Sequence, residues 1–112
     1  MQRELKTYIE DIVLAINKIE KYCKGMTKED LINNELVQDA VLRNLEVIGE
    51  AVKKIPNDVR QSYSDIPWRK IAGLRDILIH EYFGINMNIV WDVIENKLQA
   101  LKLAALEIQE TY

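Results

Sequence analysis

Apolar side chains recur at three- and four-residue steps along most of this chain, and that period constrains its fold more than any other feature. Leu5, Tyr8, Ile9, Ile12, Val13, Ile16, Ile19 and Cys23 form the first stripe. A 3.6-residue turn brings those positions to one side, so the spacing predicts an amphipathic helix over residues 3–24. Gly25 is the expected stop, and Thr27 can cap a short turn through Asp30 and Leu31. Leu36, Val37, Ala40, Val41, Leu45, Ile48, Ala51, Val52 and Ile55 form a second stripe, on a helix starting near Asn34. Pro56 ends it, because the residue before a proline is pushed out of helical geometry. Gly49 inside this helix costs ~1 kcal/mol relative to alanine but admits close approach of a neighbour.

Residues 57–66 read as a polar connector with one turn around Val59 to Tyr63. Pro67 suits the first turn of a third helix, running from about Trp68 to Gly84. Asn86 can cap a fourth, whose stripe is Ile89, Val90, Val93, Ile94, Leu98, Leu101, Ala105 and Ile108. Trp68 and Trp91 fit core or interface positions better than base-stacking ones. Two prolines and four glycines in 112 residues leave helices largely uninterrupted. Four main helices joined by short connections and helical turns imply an all-α, antiparallel up-and-down bundle, one domain over residues 1–112. A domain this small leaves much of its surface uncovered, which favours packing against a partner.

The net charge of −3 argues against a generally basic nucleic-acid binder. The charge is unevenly spread, however. Residues 1–42 hold 6 Lys/Arg against 8 Asp/Glu, residues 43–75 hold 7 against 4, and residues 76–112 hold 2 against 6. The positive third contains Arg43, Lys53, Lys54, Arg69 and Lys70, which form either a phosphate track or ordinary solvated helix faces. Cys23 has no partner for an intrachain disulfide and reads as a core thiol in a reducing compartment. There is no charged-then-apolar leader, and no apolar run reaches the ~20 residues of a membrane span. A soluble cytoplasmic protein is expected. One histidine and one cysteine cannot build a typical zinc site. No glycine-rich phosphate loop or serine nucleophile motif occurs. Neither metal nor cofactor is therefore expected.

The positive third leads into Arg75-Asp76-Ile77-Leu78-Ile79-His80-Glu81-Tyr82, which holds the only histidine. In a regular helix Asp76 and His80 are neighbours, Arg75 and Tyr82 share a stripe, and Leu74, Ile77 and Leu78 can face the core. Arg75 and His80 are not ideal neighbours on one helix. Either the helix distorts near its end or a second copy of the chain completes the site. RNA can be cleaved without metal by its own 2′-hydroxyl, given one group to take that proton and another to protonate the leaving 5′-oxygen. Histidine suits both roles, and arginine suits the anionic phosphorane. One histidine per chain is awkward for two proton transfers, whereas a twofold dimer supplies two around one cleft. Asp76 can orient His80 or raise its basicity; the plain alternative is a surface pair worth a few tenths of a kcal/mol.

Arg75-x4-His80-x-Tyr82 resembles the R-x4-H-x-Y signature of HEPN-domain toxins of the HepT type. The resemblance extends to residues 66–74 (Ile-Pro-Trp-Arg-Lys-Ile-Ala-Gly-Leu), to residues 83–86, to the segment from Val41 to Ala51, and to Val90-Trp91. It implies a dimerising helical bundle with the motif lining a cleft between protomers. It implies metal-independent endoribonuclease activity on RNA, as the toxin of a toxin–antitoxin pair. The implied partner is a small nucleotidyltransferase of the MNT type, which in some members transfers AMP from ATP onto the motif tyrosine, here Tyr82. Arg75 and His80 match the catalytic pair, and Asp76 matches the polar position after the arginine. The alternative is a non-catalytic helical module that binds a nucleotide or docks the nucleotidyltransferase.

Overall fold

The computed structural model describes residues 2–80 and 86–112, with the side chains of all of these except 2, 3, 75 and 77–80. The described residues form helices α1 (Gln2–Cys23), α2 (Lys28–Ile32), α3 (Glu35–Lys53), α4 (Asn57–Gln61), α5 (Trp68–His80), α6 (Met87–Asn96) and α7 (Leu98–Thr111), with no strand among them. The all-helical fold expected from the apolar period is therefore found.

Several boundaries follow from local chemistry. Gly25 takes a φ of +77°, a left-handed conformation that suits glycine, and ends α1. The Thr27 hydroxyl then accepts from the Asp30 N–H at 3.1 Å while the Asp30 carboxylate accepts from the Thr27 N–H at 3.0 Å. This reciprocal pair satisfies two donors that the start of α2 would otherwise leave bare. Asn34 caps α3 by accepting from the Val37 N–H, and Asn86 caps α6 by accepting from the Asn88 N–H.

Two boundaries differ from the expectation. The turn in the polar connector is a full helix, α4, beginning at Asn57. The fourth expected helix divides at Lys97, whose φ of −117° leaves the helical range. Across that break the Leu101 N–H reaches the Lys97 carbonyl at only 3.4 Å. The apolar stripe continues regardless, since Val93, Leu98 and Leu101 are all buried. The expected end of the third helix at Gly84 lies outside the described residues.

α3 packs against both α1 and α5, and α7 packs against α1. All seven helices contribute to one core. Its centre is built from Ile9, Ile12, Ile16 and Ile19 of α1, Val41, Leu45, Ile48 and Val52 of α3, and Leu101 and Ile108 of α7. Lys102 of α7 meets Glu20 of α1 at 2.8 Å, tying the start of one helix to the end of the other. Cys23 is a free, buried thiol, as expected, and burial pushes its pKa up, which keeps it protonated and unreactive. Two stripe residues stay outside the core: Leu36 is 81% exposed and Ile89 is 58% exposed. Periodicity assigns a residue to a face of its helix. It does not say where the neighbouring helix stops covering that face.

The connector is pinned by two side chains. Trp68 is buried, as expected, and its indole N–H donates to the carbonyls of Tyr63 and Arg60 at 3.0 and 3.2 Å. Trp91 packs against the core, half-buried. Arg60 turns back onto the end of α3: its Nε donates to the Ile55 carbonyl at 3.0 Å and its Nη2 to the Val52 carbonyl at 2.6 Å. The Val52 carbonyl also accepts from the Ile55 N–H at 3.1 Å, so Arg60 reinforces the turn that closes α3, and a cation suits the negative end of the helix dipole. Replacing Arg60 with alanine should therefore lower stability by about 1–3 kcal/mol, read as a lower urea midpoint. Lysine should recover little, because a single ammonium does not reproduce the two-pronged guanidinium contact.

Candidate functional site

α5 carries the arginine–histidine signature, and α3 forms the surface on which it sits. The helix starts where Pro67 offers its carbonyl to the Ile71 N–H at 3.0 Å. Trp68 and Ile71 then bury its first turn, with Leu74 half-buried behind them. It runs without a break through His80. Arg75 and His80 thus stand five residues apart on one continuous helix, about 140° apart around its axis. The distortion that would bring them together within one chain is absent up to His80. Tyr82 lies outside the described residues, as do the side chains of Arg75, Ile77, Leu78 and His80.

Asp76 is the signature side chain that the structure describes. It is exposed, and its carboxylate meets Lys53 from the last turn of α3, with the ammonium 3.2 Å from one oxygen and 3.4 Å from the other. Sequence reasoning paired Asp76 with His80, as support or as a plain surface pair, and read Lys53 as part of either a phosphate track or a solvated helix face. It missed this contact because 23 residues separate the two partners and no periodicity links them.

The positive third of the chain sorts into distinct environments. Arg60 is committed to the end of α3. Arg43 stands 4.0 Å from Glu46 one turn along its own helix, a loose surface pair worth little. Lys54, Arg69 and Lys70 are exposed. Lys70 also borders an apolar groove of about 330 Å³ between α5 and α6, floored by Ile71, Leu74 and Val93 and edged by Pro67 and Ile89. Among the described residues, no three His, Cys, Asp or Glu side chains gather as metal ligands. No helix among them is long and apolar enough to cross a membrane.

Comparison with known proteins places this site in context. A family model described as "Ribonuclease HepT-like" matches residues 12–108. A protein of Thermococcus cleftensis named "Probable ribonuclease HepT" is 43% identical over 102 residues, covering 91% of this chain and 93% of that protein. A Methanocaldococcus jannaschii protein named "Putative RNase" is 44% identical over 101 residues, or 90% of this chain and 87% of its own length. A longer one from the same organism, named "Gamma-glutamylcyclotransferase and putative RNase", is 40% identical over 110 residues. This chain spans half of that last protein's length. No solved structure matches. With its signature helix α5 inside the matched region, the chain belongs to the HepT-like ribonuclease family.

Proposed function

We propose that this chain is a metal-independent endoribonuclease, a single catalytic domain that acts as a homodimer with its active cleft between protomers. The observation that carries this reading is the family match over residues 12–108, which takes in Arg75, Asp76, His80 and Tyr82 together. The continuity of α5 supports the dimer, because one protomer holds its arginine and histidine positions on different sides of a helix. Two copies related by a twofold axis bring two such pairs to one cleft.

The chemistry needs no outside reagent. One His80 imidazole takes the proton from the 2′-hydroxyl, and the 2′-oxygen attacks the adjacent phosphorus. The bond from phosphorus to the 5′-oxygen breaks as the partner's His80, in its protonated form, donates a proton to that oxygen. The products are a 2′,3′-cyclic phosphate and a 5′-hydroxyl. Arg75 neutralises the charge that builds on the phosphorane, with its planar fork matched to two oxygens. Asp76 supports His80 from one helical turn away.

In the same reading the chain is the toxin of a toxin–antitoxin pair in the cytoplasm, restrained by an MNT-type nucleotidyltransferase. That enzyme would transfer AMP from ATP to the Tyr82 phenol oxygen with release of pyrophosphate. The added phosphodiester competes with RNA phosphate for Arg75.

Purified protein and a labelled RNA test the enzyme directly. Cleavage should persist in EDTA and leave 5′-hydroxyl ends. Activity that vanishes in EDTA and returns with added magnesium would overturn the metal-free mechanism. No cleavage by the wild type under any condition would leave a non-catalytic binding module as the better account.

A further inference from the structure

We propose that Lys53 is a positioning residue for the ribonuclease motif, acting through Asp76 rather than on the RNA. The inference rests on the reading of α5 as the catalytic helix. Lys53 stands on the last turn of α3, the helix against which α5 packs. Its ammonium lies 3.2 and 3.4 Å from the two Asp76 oxygens, in the fork of the carboxylate rather than against one edge. Asp76 directly follows Arg75 and precedes His80 by four residues, about one helical turn. A clasp at Asp76 therefore fixes the rotation and height of α5 at a point between the two motif positions.

Stability does not explain the pair. The Lys53 and Asp76 side chains are 39% and 51% exposed, and exposed ion pairs contribute about 0–1 kcal/mol. Its location gives it another use. Catalysis is far more sensitive to position than stability is, since a displacement of ~1 Å at reacting groups can cost ~100-fold in rate. The contact also changes the role of the lysine. A cation engaged with a carboxylate on the neighbouring helix is a brace, and a free cation of the positive third would be a phosphate hook.

The two roles separate experimentally. Hydrogen exchange of the α5 amides is measured first, because it needs no activity. Lys53→Met should raise exchange over residues 76–80 several-fold relative to α1, and Lys53→Arg should restore protection. In RNA cleavage, Lys53→Met should lower kcat about tenfold with little change in KM, and Lys53→Arg should recover most of the loss. In an Asp76→Asn background, Lys53→Met should cost nothing further. A raised KM with unchanged kcat, or an equal penalty with and without Asp76, would make Lys53 a direct RNA contact and overturn the proposal. Unchanged α5 exchange in Lys53→Met would overturn it too, even if the wild type proved inactive on RNA. Changed exchange in an inactive wild type would leave the brace standing and remove the ribonuclease reading alone.

Discussion

Replacing His80 with alanine is expected to abolish RNA cleavage while leaving the fold intact. His80 is the only histidine in the chain, so in a homodimer this one substitution removes both proton-transfer groups from the shared cleft. General acid–base groups contribute typically ~10²–10⁴-fold to rate, and here base and acid are lost together. Alanine is a better helix former than histidine, and His80 lies within α5, so helicity by circular dichroism should not fall. Under the proposed mechanism Arg75→Ala should also silence cleavage, by removing the charge assigned to the phosphorane. Arg75→Lys should restore little of it, because an ammonium offers no planar fork. Growth arrest on expression should track the same variants. A His80→Ala dimer that cleaves at the wild-type rate would remove histidine from the mechanism altogether.

The parts of the molecule legible in the sequence were those set by chemistry close along the chain. Helical period gave α1, α3 and α5, and the caps at Thr27, Asn34 and Asn86 lie where short polar side chains precede apolar runs. Gly25 stops α1 for the backbone reason its position suggested. What escaped notice depends on segments meeting after folding. Arg60 carries no distinguishing signal within the polar connector, and its role depends on the end of α3 and the connector coming together around it. The break at Lys97 interrupts an apolar stripe that is itself continuous, so hydrophobicity carried no sign of it. The candidate site follows the same division. Its position on a helix was readable from spacing, whereas the Lys53–Asp76 contact required knowing that α3 and α5 are neighbours.

α3 is also where a single substitution should do most harm to the fold. Leu45 is 1% exposed and sits mid-helix, among core side chains drawn from every helix of the bundle. Leu45→Ala removes the buried methyl groups and leaves a cavity that rigid flanking helices fill only in part. Substitutions of this kind cost about 2–5 kcal/mol, against a total stability of roughly 5–15 kcal/mol for a domain. The melting temperature should fall by about 10–20 °C, measured at fixed protein concentration so that the proposed dimerisation does not enter the comparison. Leu36→Ala, on the same helix but 81% exposed, should change it by no more than a few degrees. A comparable loss at both positions would mean that Leu36 is covered in solution by a partner, since burial is what separates the two leucines. An innocuous Leu45→Ala would instead mean that α3 is not the central helix through which α1 and α5 are held together.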